Sequence, residues 1–374
     1  MKKIFTLFIL SSLFISAFAQ LSSGFYRVKN ADTGRYIYVC DNKGKAELDG
    51  AMVKTDLDAI YLRADLKNTI SDPGSIIYVD KVESEYDFLS QGTSVHKIIG
   101  HYVSLVSRSG HYAVGATVHG VAAYLSDAKT NNTSEYGIIS IDSNGKKLWD
   151  PVPVSPSSNN YFGVSPTISC EGKYYSSFYA SFGFSPVSNA TKVYCVSAVK
   201  EGGAVLLSEI QGDVPAATPV IVECESSSPA DNKLDLKLVN TTVPSNKLKG
   251  VYFDTDNSRK SYAAKIHKNQ TPVTDNIRIL TVDEEGNLVF AKSSLKNIPA
   301  NSSYLEVSSR AVDNLVVFFS KAEFDDFVGV DALEAVSADS ESLDVYNLLG
   351  KKVESTRNLP SGIYIIGGKK TVIR

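Results

Sequence analysis

The chain holds 374 residues with a formal net charge of −3, 43% hydrophobic residues and 10% aromatic ones. That length suits two or three domains of ~100–200 residues each, and the near-neutral charge excludes the basic footprint of a nucleic-acid binder. Twenty tyrosines and sixteen phenylalanines favour strands, where aromatic side chains pack well on a pleated surface.

Lys2 and Lys3 open the chain, a largely apolar stretch follows over residues 4–15, and Ala17-Phe18-Ala19 precedes Gln20. A positive start, an apolar run and a small-residue cleavage motif mark residues 1–19 as a predicted secretory signal peptide. The run is short for a bilayer span of ~20 residues, and Gln20 is not the cysteine that a lipid anchor needs. Later apolar runs, such as Leu315-Val316-Val317-Phe318-Phe319, reach only strand length. No transmembrane segment is therefore expected after signal removal.

Residues 20–149 read as short strands between turns. Phe25-Tyr26-Arg27-Val28-Lys29 leads through Thr33-Gly34 into Tyr36-Ile37-Tyr38-Val39-Cys40. Ser75-Ile76-Ile77-Tyr78-Val79, Tyr102-Val103-Ser104-Leu105-Val106 and Tyr112-Ala113-Val114 continue the style. Strands with turn signals every 8–12 residues predict a sandwich or barrel. One helix is expected around residues 56–64. His96, His101, His111 and His119 fall close together, but their spacings match no metal-ligand pattern. They are expected at the surface or in turns.

The Pro/Ser-rich residues 150–160, with Pro151, Pro153 and Pro156, form the predicted linker. Residues 161–330 carry an internal repeat with an offset of 84 residues. Val193-Tyr194-Cys195-Val196-Ser197-Ala198 aligns with Ile277-Arg278-Ile279-Leu280-Thr281-Val282, and Val214-Pro215-Ala216-Ala217 with Ile298-Pro299-Ala300-Asn301. Gly202 and Gly286 mark a turn at the same place in each copy. The repeat predicts two related β units, either as two sheets of one β-sandwich or as adjacent subdomains. Within it, Tyr174, Tyr175, Phe178, Tyr179, Phe182 and Phe184 cluster, and the alternation Phe178, Ala180, Phe182, Phe184 predicts a core-facing strand. A second boundary is expected near residues 330–341, before a small β module at residues 341–374.

Cys40, Cys170, Cys195 and Cys224 lie mostly in or beside apolar runs, which predicts buried free thiols. A bridge among the last three stays open, because export leads to an oxidising compartment. No catalytic, cofactor-binding or metal-ligating residue is expected. G-x-S-x-G, H-E-x-x-H and the glycine-rich nucleotide loops are all absent from the sequence. Asp254-Thr255-Asp256-Asn257 lacks the glycine and the glutamate of a calcium loop and reads as a solvated turn. Asp325-Asp326 likewise reads as a loop.

The tail carries a resemblance. Leu343-Asp344-Val345-Tyr346-Asn347-Leu348-Leu349-Gly350-Lys351-Lys352-Val353 is followed by Leu359-Pro360-Ser361-Gly362-Ile363-Tyr364-Ile365-Ile366 and a basic end. This resembles the C-terminal sorting domain of type IX secretion substrates, with Gly350, Leu359, Pro360, Gly362, Ile363 and Tyr364 on the motif. The resemblance implies contact with secretion machinery and passage to the outer surface of a diderm bacterium. The periplasm is the alternative location. Residues 20–149 resemble a ricin-type β-trefoil, on Phe25-Tyr26-Arg27-Val28-Lys29-Asn30 and Thr33-Gly34-Arg35-Tyr36-Ile37. The Gln-x-Trp signature of that family is absent, since Lys147 stands two residues before Trp149, so no sugar-binding residues carry over. The middle region resembles uncharacterised β domains of bacterial surface proteins.

The expectation is an all-β chain: a trefoil-like domain, a β-sandwich region with an internal duplication and a small C-terminal β module. Its expected role is a secreted or cell-surface, non-catalytic binding or adhesion protein for glycans or surface proteins. An envelope hydrolase with a site assembled from scattered residues, or a purely structural envelope protein, is the alternative.

Overall fold

The computed structural model describes residues 20–39, 46–49, 52–55, 60–63, 69–94, 96, 102–108, 110–118, 121–127, 137–140, 147–252, 273–327, 345–347, 352–353, 362–366 and 369–373. The chain is all-β. The α-helix α1 (Lys321–Asp326) and a 3-10 turn at Pro73–Ser75 interrupt the strands. No helix among the described residues is long and apolar enough to cross a membrane.

The first region contains β1 (Gly24–Asn30), β2 (Tyr36–Val39), β3 (Ala46–Asp49), β4 (Met52–Thr55), β5 (Ile60–Arg63), β6 (Ile77–Val82) and β7 (Glu85–Ser90). It continues with β8 (Thr93–Ser94), β9 (Ser104–Arg108), β10 (His111–Val118), β11 (Val121–Asp127), β12 (Gly137–Ser140) and β13 (Leu148–Pro153). They form one sheet in the order β3-β4-β12-β11-β10-β13-β1-β6-β7-β8, with β2 joining β1 to β5 and β9 beside β10. The first and last strands meet, from Tyr26↔Pro153 to Asn30↔Trp149.

Two expectations are corrected here. Described residues of the expected helix, Ile60–Arg63, form β5, whose Ile60, Tyr61 and Leu62 pair with β2. β-branched and aromatic side chains suit that pairing better than a helical turn. The expected linker is ordered from its first residue. Asp150, Pro151, Val152 and Pro153 complete β13, and its prolines pair with β1 alone, since β10 meets β13 only at Leu148 and Trp149, which leaves a side where a missing N–H costs no ladder bond.

β1 is buried on both faces. Tyr26, Val28 and Asn30 alternate into the first region, while Phe25 and Arg27 point to the second. The Arg27 side chain is fully buried. It donates from Nε to Ser75 Oγ (3.0 Å), from Nη1 to Asn160 Oδ1 (2.9 Å) and the Tyr161 carbonyl (2.7 Å), and from Nη2 to the Thr69 (3.0 Å) and Ile70 (3.1 Å) carbonyls. Burial draws its pKa down to about 10, so it stays charged at neutral pH. The fork thus ties β1 to the loops before β6 and after β13.

The second region contains β14 (Phe162–Gly163), β15 (Ile168–Cys170), β16 (Lys173–Phe178), β17 (Gly183–Pro186), β18 (Lys192–Lys200), β19 (Ala204–Glu209) and β20 (Val220–Cys224). Then come β21 (Lys233–Lys237), β22 (Leu248–Val251), β23 (Ile277–Val282), β24 (Leu288–Lys292), β25 (Ser302–Glu306) and β26 (Asn314–Phe318). Ten of these form a sheet in the order β15-β16-β20-β18-β19-β26-β24-β23-β25-β22. Outward from β26 the order is β19-β18-β20-β16 on one side and β24-β23-β25-β22 on the other. Residues 84 apart share a register: Val193↔Val222 and Tyr194↔Ile221 correspond to Ile277↔Glu306 and Arg278↔Leu305. Ala217 and Asn301, also 84 apart, both have left-handed backbones, with φ of 55° and 53°.

One core is shared by both units. Val196, Leu207 and Ile221 pack with Leu280, Phe290, Leu305 and Leu315, each such side chain contributing ~1.5–3 kcal/mol by leaving water. A second core lies on the other face of the first unit. There Val193, Val220, Val222 and Cys224 meet Phe178, Ala180, Phe182, Phe184 and Leu234. A three-stranded sheet, β14-β21-β17, covers that face.

Helix α1 corrects the loop expected at Asp325-Asp326. Ser320 caps it through Oγ, which accepts from the Glu323 N–H. Phe324 is buried against Ala204 and Leu206. The Lys200 ammonium donates to the carbonyls of Phe324, Asp325 and Phe327 at its C-terminal end. Asp325 reaches back one turn to Lys321 (2.5 Å) rather than toward another carboxylate.

A four-stranded sheet closes the chain, with β27 (Val345–Asn347), β28 (Lys352–Val353), β29 (Gly362–Ile366) and β30 (Lys369–Ile373) in the order β28-β27-β29-β30.

Candidate functional site

The site begins with a hairpin whose tip carries a buried glutamine. Ser90 pairs with Thr93 across β7 and β8, leaving Gln91-Gly92 as a two-residue turn. Their φ values, 51° and 72°, are both positive, as the tight hairpin turn with matching twist requires. Turn tips ordinarily face water. Here Gln91 is only 1% exposed, because it reaches into the second region, while Gly92 beside it stays exposed. The Gln91 N–H donates to Ser181 Oγ (2.9 Å). Its amide exchanges two hydrogen bonds with the Asn301 amide, Nε2 to Oδ1 at 2.8 Å and Nδ2 to Oε1 at 2.9 Å. Asn301 Nδ2 also donates to the Tyr179 carbonyl (3.0 Å).

Two tyrosines pack beside this junction. Tyr179 and Tyr252 have ring centroids 4.4 Å apart. Tyr179 lies on Gly250, where a Cβ would come within 2.2 Å of the ring, and Tyr252 lies on Gly92, where a Cβ would come within 2.9 Å. Neither position accepts a larger residue without moving its ring.

Next to the hairpin tip, a cavity of about 470 Å³ opens between the two regions. Phe25, Tyr78, Phe182 and Tyr252 give it an aromatic lining, and Leu89 and Leu238 stand at it exposed to solvent. Its polar lining includes Asp87, Ser90, Ser94, Ser181 and Asn240. The Ser90 hydroxyl is buried and has no hydrogen-bond partner. Such a group costs ~1–3 kcal/mol to leave unpaired. Asp87 is nearly buried, with Oδ1 accepting from the His96 N–H (3.0 Å). Burial first, and the charge of Asp80 second, hold the Tyr78 phenol above its ordinary pKa. Burial and the hydrogen bond with Tyr179 do the same for Tyr252. Both phenols are therefore neutral donors at physiological pH.

Asn301 also borders a second cavity, of about 620 Å³. Ser71, Thr167, Ser177, Asn301 and Ser302 line it, with exposed Leu295. The Ser71 hydroxyl is buried and unpaired as well. Chemically, both cavities offer hydroxyls and amides beside apolar surface.

The sequence-predicted residues fall mostly elsewhere. Of the sorting-type motif, Gly362, Ile363 and Tyr364 lie in β29, paired with β30 through Gly362↔Ile373, Ile363↔Val372 and Tyr364↔Thr371. Gly350, Leu359 and Pro360 lie outside the described residues, as do Cys40, His101, His119, residues 254–257 and the signal segment. His111 Nδ1 meets Asp150 Oδ1 at 2.6 Å on the surface, and the His96 ring stacks on Tyr102 at 4.1 Å. Among the described residues, no three His, Cys, Asp or Glu converge as a metal set. Cys170, Cys195 and Cys224 are buried free thiols, and burial pushes the Cys224 pKa up to about 12. These thiols act as small core residues and not as nucleophiles.

Of the aromatic cluster, Tyr175 joins Tyr194 over Glu223, whose Oε2 accepts from both phenols at 3.3 and 3.4 Å. None of these three lines either cavity. The signal that sequence reasoning missed is Ser90-Gln91-Gly92, a turn whose local pattern says nothing of its burial.

Comparison with known protein families, curated proteins and solved structures gives no match to this chain.

Proposed function

We propose that this chain is an exported, non-catalytic binding protein of the cell surface, and that it holds a glycan in the cavity beside the hairpin tip. The observation that carries the reading is the unpaired Ser90 hydroxyl in an aromatic-lined cavity of about 470 Å³. That size falls within the ~300–1,000 Å³ of small-molecule sites, which are mostly apolar with a few placed polar groups. A sugar offers apolar C–H faces for the rings and hydroxyls for Ser90. In the same proposal, β1–β13 form the trefoil-like domain and β14–β26 a sandwich of two related units. The sheet β27–β30, with its sorting-type residues, directs export.

The test is equilibrium binding of the full chain to a broad glycan array, beside Ser90→Ala. Saturable binding to a defined subset is expected, weakened about fivefold by Ser90→Ala, the worth of one hydrogen bond of ~1 kcal/mol. EDTA leaves it unchanged. An array on which nothing is retained at high protein concentration removes the glycan reading.

A further inference from the structure

We infer that the hairpin-side cavity selects uncharged glycans and rejects anionic ones. This inference rests on the proposed function and deepens it. Its basis is the charge of the lining. Among the described residues around the cavity there is no lysine, arginine or histidine, and Asp87 is the one ionisable carboxylic acid. Asp87 is 9% exposed, so water screens it little.

A sulfated, phosphorylated or uronic sugar would give up its hydration and meet a carboxylate. Taking an anion out of water costs several kcal/mol unless a cation or a set of donors replaces the solvent. The N–H and O–H donors here are few and neutral. Natural anion sites use arginine forks, lysines or backbone nests, and this lining has neither cation. A purely apolar ligand fares badly for the opposite reason, since it would leave the Ser90 hydroxyl without a partner. An uncharged oligosaccharide answers both constraints. Its C–H faces lie on Phe25, Tyr78 or Tyr252, and its hydroxyls serve Ser90 and Asp87.

The experiment titrates the full chain with one oligosaccharide backbone in three forms: neutral N-acetylated, sulfated and de-N-acetylated with free amines. The neutral form is expected to bind at least tenfold tighter than the sulfated one. Two variants locate the cause. Leu238→Lys places a cation at a 66% exposed position of the lining, where the fold tolerates it. Asp87→Asn removes the carboxylate and keeps an oxygen for the His96 N–H. Each should narrow the gap between neutral and sulfated ligands several-fold. Sulfated ligand binding as tightly as neutral overturns charge selection and leaves the glycan reading standing. Preference for the free-amine form overturns it too and makes Asp87 an ion-pair partner. Binding of none of the three, together with an empty glycan array, removes the underlying reading itself.

Discussion

The two four-stranded units flanking β26 share a strand order and a register, yet their outer faces differ. In the first unit, β20 is buried at every position, Val220-Ile221-Val222-Glu223-Cys224. In the second, the matching residues are Tyr304, Leu305, Glu306, Val307 and Ser308, and Glu306 and Ser308 are exposed. Strands covered on both faces read as near-continuous apolar runs, whereas strands with one wet face alternate. The first unit therefore requires the cover sheet β14-β21-β17, while the outer cluster of the second unit is confined to Val251, Ile277 and Ile298 with a few partners. Cavities open where that cover ends and the hairpin tip meets Asn301. A repeated unit thus becomes a site through its unequal surroundings.

The sharpest way to break the comparison is to exchange its polarity. Val222 is fully buried and matches Glu306. Val222→Asp places an uncompensated charge in the core under the cover sheet and should cost more than ~4 kcal/mol, leaving no soluble, cooperatively unfolding protein. Glu306→Val touches an exposed strand end paired with Lys249, and its chemical-denaturation midpoint should match the parent. Equal damage from both changes would show that the faces are not differently buried.

A second pair compares Tyr194 with Arg278, again 84 residues apart. The Arg278 guanidinium is buried and donates to the carbonyls of Val312 (3.0 Å), Asp275 (2.6 Å), Ile277 (3.1 Å) and Ala311 (3.1 Å). Arg278→Met leaves these acceptors unpaired and should cost ~2–4 kcal/mol. Tyr194→Phe loses only its long bond to Glu223, worth ~0.5–1.5 kcal/mol. Reversal of that order, measured by urea unfolding, would contradict the anchoring role of Arg278.

Much of this frame was legible in the sequence. The 84-residue offset marks residues that share a register, and the alternation through Phe178, Ala180, Phe182 and Phe184 marks one core. Local patterns carry such information because strand burial has a period of two residues. The junction was not legible. Gln91 meets Asn301 across 210 residues of sequence, and Ser181 across 90. Gln91-Gly92 announces a turn, and nothing local says what the turn touches. The helix expected at residues 56–64 failed for a related reason, since pairing of β5 with β2 overrides a short helical pattern.

A smaller effect separates the two left-handed positions. Ala217 holds φ = 55° with a methyl group that makes no hydrogen bond, so Ala217→Gly relieves backbone strain and should stabilise by up to ~1 kcal/mol. Asn301 holds φ = 53°, but its side chain carries the bonds to Gln91 and Tyr179. Asn301→Gly should therefore destabilise by ~1–2 kcal/mol, with less relief to offset it, because asparagine tolerates the left-handed region better than alanine. It should also weaken ligand retention, because the hairpin tip loses its partner. Gains in stability at both positions would mean that the amide pair contributes nothing.

The smallest expected effect is a pH dependence at the edge where the units meet. Glu201, in the β18–β19 turn, accepts from the Ser308 hydroxyl (2.5 Å) and the Ser308 N–H (2.7 Å), just beyond β25. These bonds, the hydroxyl first, hold its carboxyl below the ordinary carboxylate pKa. A depressed folded-state pKa means that the unfolded chain takes up its proton first as pH falls. The contribution is full above the unfolded value of ~4.3 and is lost as pH drops through the lower folded value. Solvent screens this exposed group, so the slope is shallow. Between about pH 5 and pH 3, the range set by that unfolded value, Glu201→Gln should lose stability less steeply than the parent. Glu285→Gln removes one surface charge at the matching position of the second unit, in the exposed Asp283–Asn287 turn, and serves as the control. Parallel curves for the parent and Glu201→Gln would place no proton-linked bond between the units, and the coupling across β26 would then rest on the shared apolar core alone.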